Sequence, residues 1–175
     1  MILGHRELNG DSGHQAGRKL LADICFSLTG EPLPEIRLTG RGKPYFPDCP
    51  LHFSITHTRH HVFCAVSEAP VGIDAEETDR RVKPGLADKI LSPSEREQYD
   101  RSADRQAALL RFWVLKEAYL KLTGTGITGY PNDTDFHPED PRVQITDGCY
   151  LAVMEDRDDY GAELPNPIIY KVEEL

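Results

Sequence analysis

The segment Val71–Glu77, VGIDAEE, constrains this chain more than any other. It reads as a β-strand, and side chains two residues apart leave the same face of a strand. Asp74 and Glu76 therefore share one surface. Further along, WVLKEAYLK at Trp113–Lys121 reads as helix, with Glu117 and Lys121 one turn apart on one side. Three acids from two elements suit a hard cation such as Mg²⁺, which takes oxygen ligands from one or two carboxylates, waters and substrate phosphates. Mn²⁺ takes the same ligand type. A lysine beside them suits a phosphate. Carboxylates gathered without a cation repel one another, which raises at least one pKa. The plainer alternative is a strand edge with solvated acids and a helix with an exposed Glu–Lys pair. Gly72, just ahead of the acids in an apolar strand, points to close approach by another backbone or a ligand.

At 175 residues the chain can bury a core unaided, and it suits one large domain or two small interlocked halves. Its 29 acidic and 20 basic side chains leave a formal charge of −9. That balance speaks against general nucleic-acid binding, which carries a basic footprint, yet leaves room for local basic pockets. Cys25, Cys49, Cys64 and Cys149 are scattered with no CxxC pair, the pattern of reduced, mostly buried thiols. The first residues, MILGHRELNGDSG, hold no long apolar run and no cleavage-like segment. No stretch reaches the roughly 20 apolar residues that span a bilayer. The expectation is a soluble, cytoplasmic protein with no membrane contact.

Asp11 and Ser12 offer caps for a helix whose apolar residues, Ala16, Leu20, Leu21, Ile24 and Leu28, follow one face to a stop at Gly30. Short strands are predicted at Ile36–Thr39, Leu51–Ile55, Val62–Ser67 and Val71–Ala75, the last two joined tightly at Ala69-Pro70. Composition changes at Glu77–Pro84 (ETDRRVKP), which is charged and aperiodic and reads as a linker between an N-terminal half, 1–77, and a C-terminal half, 78–175. Ser92-Pro93-Ser94-Glu95 reads as a capping box. A longer helix follows from Ser102 or Ala103 to Thr123, with Gly124 as its stop. The tail carries short strands near Arg142–Thr146, Cys149–Met154 and Ile168–Val172. Each half is thus helix plus several strands, an α+β chain that allows two similar subdomains related by a pseudo-twofold.

Other segments carry candidate chemistry. In GRGKP at Gly40–Pro44, glycines flank Arg41, and Lys43 is locked against a proline. It reads as a phosphate-binding loop with Lys43 as the point charge, or as an ordinary polar turn. The P-loop spacing is absent. In FSITHTRHH at Phe53–His61, a half-buried strand ends at His57, placed to donate to a phosphate or to act as acid or base. His57, His60 and His61 as a transition-metal site is a minor alternative, and a histidine-rich surface turn is the plain one. Trp113, at helical spacing from Leu109 and Leu110, reads as core rather than as a cofactor-stacking residue. Arg18 on the first helix is either a solvated residue or a ligand contact.

In this order, GRGKP, FSITH, VGIDAE and WVLKEAYLK resemble the 4′-phosphopantetheinyl transferases of the Sfp type. That family typically shows G-K-P, F-N-x-S-H, [VI]-G-[VI]-D-x-E and W-x-x-K-E-[AS]-x-x-K. AGRKLLAD in the first helix and ILSPSE before the long helix are also similar, so the resemblance runs from about Gly13 to Gly126. Each motif alone is weak; four in order with appropriate gaps are specific. Ser54 stands at the family's asparagine and Thr56 at its serine, and the chain is short for the family.

The resemblance implies a fold and a reaction. The fold is α+β, two similar subdomains, each a small mainly antiparallel sheet with helices packed on it, with coenzyme A in the cleft between them. The phosphopantetheine arm of coenzyme A moves to a serine of an apo acyl or peptidyl carrier protein, and adenosine 3′,5′-bisphosphate leaves. Asp74, Glu76 and Glu117 match the Mg²⁺ ligands, and Glu117 also matches the base that takes the serine proton. Lys121 matches the lysine that neutralises the pyrophosphate. Arg18, Lys43 and His57 match groups that hold the coenzyme phosphates, with Arg41 and Thr56 beside them. The residue chemistry agrees, because phosphoryl transfer is mostly positioning plus charge neutralisation and needs no covalent nucleophile. Carrier proteins are usually acidic, so docking on this acidic chain needs a local apolar or basic patch, for which Arg96–Arg111 supplies arginines and alanines. A monomer follows from two halves in one chain. The competing readings are a coenzyme A- or nucleotide-binding module without transfer, and a Mg²⁺-dependent phosphoesterase.

Overall fold

The structure, a computed structural model, describes residues 1–83, 85–126 and 134–156 and the backbone of 169–171. In chain order the elements are β1 (Ile2–Glu7), α1 (Gly13–Thr29), β2 (Arg37–Leu38), β3 (Pro44–Tyr45), β4 (His52–His57), β5 (His61–Ser67) and β6 (Val71–Glu77). They continue with α2 (Leu86–Ile90), α3 (Pro93–Arg101), α4 (Arg105–Thr123), β7 (Val143–Thr146), β8 (Cys149–Glu155) and β9 (Ile169–Lys171). One sheet has the order β4-β5-β1-β9, antiparallel except for β1 against β9. A second, β6-β8-β7, is wholly antiparallel. β2 and β3 form a small hairpin around Arg41.

The two-residue alternation of the strands sorts this α+β fold into layers. On β5, Val62, Cys64 and Val66 join Ala16, Leu20, Leu21 and Ile24 of α1 in one core, while Phe63 and Ala65 turn the other way. On β8, Tyr150, Ala152 and Met154 meet Leu110, Val114, Leu115 and Ala118 of α4, while Cys149, Leu151 and Val153 turn away from it. The residues that turn away meet one another, with Leu3, Val71, Ile73 and Ala75, in a third core between the sheets. The order of layers is therefore α1, sheet, sheet, α4. This explains why β5 and β6 are buried on both faces.

The helices begin and end where local chemistry allows. Ser12 caps α1 by accepting the Gln15 N–H at 3.3 Å, and Asp104 caps α4 by accepting the Ala107 N–H at 3.0 Å. Both helices stop on a left-handed glycine, Gly30 (φ 72°) and Gly124 (φ 67°). The capping box of α3 is present, but its glutamate does more than cap. Glu95 is fully buried, accepting from the Ser92 N–H (2.8 Å), the Phe136 N–H (3.0 Å) and the ammonium of fully buried Lys116 on α4 (2.9 Å). A single carboxylate thereby ties α3, α4 and the approach to β7 together.

Several features depart from the sequence reading. β1 was not foreseen, because Gly4, His5 and Arg6 break its apolar pattern; it is a strand because β5 and β9 flank it on both edges. α2 and β3 are too short to carry a periodic signal. The change of sheet falls between β5 and β6, at Glu68–Pro70, ahead of the charged segment read as a linker. That segment is tied down: Thr78 donates its N–H to the Gly148 carbonyl at 2.8 Å, and Arg80 pairs with Glu76. Pro84 and the outer ends of the strand read at Ile168–Val172 lie outside the described residues. Among those described, no helix is long and apolar enough to cross a membrane.

Lys116→Met should destabilise the protein by about 3–5 kcal/mol, because it strands a buried carboxylate, and adding Glu95→Gln should recover part of that loss. Equilibrium urea unfolding of the single and double variants measures both.

Candidate active site

The carboxylates lie where α4 crosses β6, and the crossing is unusually close. A Cβ on Gly72 would stand 2.1 Å from the Ala118 carbonyl oxygen and 2.4 Å from the Leu122 nitrogen. The glycine thus admits a helix backbone, the first of the two partners its position in the strand allows. Gly72, Asp74 and Glu76 alternate with the inward residues Val71, Ile73 and Ala75, so all three face α4. From α4, Trp113, Glu117 and Lys121 come up at four-residue spacing. Two contacts join the rows. Lys121 donates to Asp74 Oδ1 at 2.7 Å, and the Trp113 indole N–H donates to Glu76 Oε1 at 3.1 Å.

Asp74 is 7% exposed and braced from β4. The Thr56 hydroxyl donates to Asp74 Oδ1 at 2.9 Å and accepts the Ala75 N–H at 3.3 Å; Ser54 accepts the Ile73 N–H at 3.1 Å. These two hydroxyls replace backbone ladder bonds between β4 and β6. Thr56, expected beside coenzyme phosphates, is 5% exposed with its hydroxyl held by Asp74 and Ala75, so it positions the acid instead of facing a ligand. The short Ser54 side chain suits its own contact.

Glu117 has the most distinctive environment. Its Oε1 is buried with no hydrogen-bond partner. Burial pushes the carboxyl above its ordinary pKa, the negative charge of Asp74 adds to that, and Lys121 partly offsets it. An unpaired oxygen next to a second acid is a fit for a cation, which relieves both the missing partner and the repulsion. Glu76 is engaged otherwise, because Arg80 forms an ion pair with its Oε1. Among the described residues, no three histidine, cysteine, aspartate or glutamate side chains are gathered as a ready metal cluster. Asp74, Glu76 and Glu117 share a face without converging on one point, and His57, His60 and His61 form no such cluster either.

The predicted phosphate groups are spread more widely. His57, at the end of β4, is exposed, lies over Gly13 at the start of α1, and contacts the Thr58 carbonyl at 3.4 Å. With Thr58, Arg59, Glu76, Glu77 and Arg80 it lines a cavity of about 390 Å³. Lys43 reaches across to α4, where its ammonium donates to the Leu122 carbonyl at 2.7 Å; burial lowers its pKa. GRGKP is the turn of the β2–β3 hairpin, held by Thr39 N–H to the Lys43 carbonyl at 2.8 Å. Arg18 and Arg41 are exposed, and neither bonds to the carboxylates. The Arg96–Arg111 stretch is not an unopposed basic patch: Arg96 pairs with Asp88 and Asp100, Arg101 with Glu97, and Arg111 with Glu139.

Sequence reasoning missed Arg59 and Arg80. Arg80 falls four residues beyond Glu76, past the strand end, and the DRR run signals only a charged turn. Trp113, read as core, is half-buried at the edge of the core, and its N–H serves Glu76.

A strand acid pair, a crossing helix with Glu and Lys one turn apart, and a cavity lined by two arginines, two glutamates and a histidine thus lie side by side. Residues 70–156 match the 4′-phosphopantetheinyl transferase superfamily, and through them the chain belongs to that family. It is 36% identical over 120 residues to 4′-phosphopantetheinyl transferase psf-1 of Bacillus pumilus, a span covering 64% of this chain and 50% of that protein. A Bacillus subtilis 4′-phosphopantetheinyl transferase is 30% identical over 135 residues, 68% of this chain and 57% of its own. The Escherichia coli 4′-phosphopantetheinyl transferase AcpT is 37% identical over 114 residues, 62% and 56% respectively. The chain thus spans little more than half the length of these relatives.

Gly72→Ala should cost about 3 kcal/mol, a fall of roughly 6–12 °C in Tm, because the new methyl meets helix backbone instead of a yielding side chain. Differential scanning calorimetry checks it.

Proposed function

We propose that this chain transfers the 4′-phosphopantetheine arm of coenzyme A to a serine of an apo acyl or peptidyl carrier protein, releasing adenosine 3′,5′-bisphosphate. The observation that carries this reading is the buried, unpartnered Oε1 of Glu117 beside Asp74, inside the span that matches the family. Relatives bearing the transferase name support the activity.

Asp74, Glu76 and Glu117 would hold Mg²⁺, with Mn²⁺ as a substitute. The ion, when bound, supplies charge neutralisation at the diphosphate. The serine Oγ bonds to the phosphorus on the pantetheine side. The diphosphate P–O bond breaks, and adenosine 3′,5′-bisphosphate leaves with the electron pair. Glu117 takes the serine proton at Oε2, leaving the unpartnered Oε1 to the cation. Lys121, fixed one turn along α4, holds the diphosphate charge from the Asp74 side. Thr56 keeps Asp74 in place. His57 on the cavity rim, with Arg18, Arg41 and Lys43 on flanking elements, serves the remaining phosphates; Lys43 does so by leaving the Leu122 carbonyl.

We further read the chain as a cytoplasmic monomer of two subdomains related by a pseudo-twofold, the first sheet with α1 and the second sheet with α4, acting without nucleic acid or membrane. The helix on the outer face of each sheet supports the first part, and the net charge of −9 supports the second.

Incubation with coenzyme A, Mg²⁺ and apo carrier proteins of the fatty-acid, polyketide and nonribosomal-peptide types should add the mass of the arm to at least one of them. No gain on any carrier, with the enzyme folded, would overturn the reading. Glu117→Gln should lower transfer at least about 100-fold while leaving calorimetric coenzyme A binding within about threefold, since it removes a base but no phosphate cation.

A further inference from the structure

Arg80 is not part of any motif described above, yet it touches the site directly. Its guanidinium pairs with Glu76 Oε1 and lies 6.0 Å from the Trp113 ring centroid. The same Glu76 oxygen also accepts the Trp113 N–H at 3.1 Å. One carboxylate oxygen is thus shared by two donors, one of them a full positive charge. Asp74 is engaged by Lys121, and the Glu117 oxygen has no partner. Both strand acids are thus held by a cation, Asp74 by Lys121 and Glu76 by Arg80, and of the two cations Arg80 is the one that comes from outside the β6–α4 crossing.

We propose that Arg80 is an internal counter-ion for Glu76, one that must leave the carboxylate before a divalent cation can use it. The inference rests on the reading of Asp74, Glu76 and Glu117 as the metal-binding set. A divalent ion bound to Glu76 Oε1 would bring two like charges onto one oxygen, so the arginine and the metal exclude each other. Arg80 sits at the surface of the site. Its side chain is 43% exposed, and it lines the 390 Å³ cavity with His57 and Arg59, where space for its guanidinium adjoins the carboxylate it leaves. Arg59, on the same cavity, has its own partners in Glu77 (2.7 Å) and Asp79 (3.6 Å), so it does not replace Arg80 at Glu76. Apparent metal affinity is then the intrinsic affinity reduced by the fraction of molecules in which Glu76 is free. Arg80 is a positioning residue in this scheme: it sets when Glu76 is available and does not touch substrate.

The test is a calorimetric titration of the whole chain with Mn²⁺ alone, followed in parallel by emission of Trp113, the chain's one tryptophan. Arg80→Met should bind Mn²⁺ about fivefold more tightly than the wild type or better, and Arg80→Gln should do the same. Arg59→Met removes an equal charge from the same cavity and should stay within about twofold of the wild type. A merely structural arginine predicts the opposite sign, since its loss would loosen the site. Unchanged or weaker Mn²⁺ binding by both Arg80 variants, with the wild type binding, overturns the proposal and leaves the reading of the acids standing. Equal tightening by Arg59→Met overturns it too, because a general field then accounts for the gain. Absence of Mn²⁺ binding from the wild type and from every variant overturns both.

Discussion

Backbone contact between β6 and α4 at Gly72 is the constraint on which the site depends. Side chains normally keep the backbone of a helix clear of the backbone of the sheet beneath it. Here a missing Cβ lets α4 descend onto the strand, and the rows Asp74–Glu76 and Trp113–Glu117–Lys121 come within hydrogen-bonding distance as a result. The same close packing buries Glu117, and burial together with the Asp74 charge raises its pKa. Packing and acid–base character therefore have one cause.

The rest of the fold secures that contact from three sides. Below it, the inter-sheet core of Ile73, Ala75, Leu151 and Phe63 keeps β6 flat against the first sheet. To one side, the Ser54 and Thr56 hydroxyls stitch β4 to β6 and fix the Asp74 rotamer. Behind it, the Glu95–Lys116 pair anchors α4 to α3 from its far face. Lys43 closes the end of α4 at the Leu122 carbonyl, so the GRGKP hairpin is joined to the helix that carries Lys121. Each tie joins residues far apart in sequence, which makes the site a product of the tertiary structure and not of any single motif.

What the sequence disclosed follows from this. Periods of 2 and 3.6 are local, so the shared face of Asp74 and Glu76 and the Glu117–Lys121 turn were legible, as were the capped ends of α1, α3 and α4. The α+β class followed from them. Gly72 announced a close neighbour without naming it. The role of Thr56 was not legible, because it depends on β4 lying beside β6, a pairing with no backbone ladder to signal it. Nor was Arg80, whose meaning lies in where the chain turns after β6. β1 was hidden because its neighbours, not its own residues, make it a strand; buried His5 rests on Phe63 and bonds to His61 at 3.0 Å.

The position of β1 also bears on biogenesis. Its parallel neighbour β9 joins Leu3 to Ile169, so an inner strand of the first sheet has an edge that is filled only by a strand far along the chain, synthesised long after it. Closing so long a loop is entropically slow. During synthesis the exposed edge of β1 is a template for stray pairing, and nascent-chain chaperones are the natural guardians of that interval.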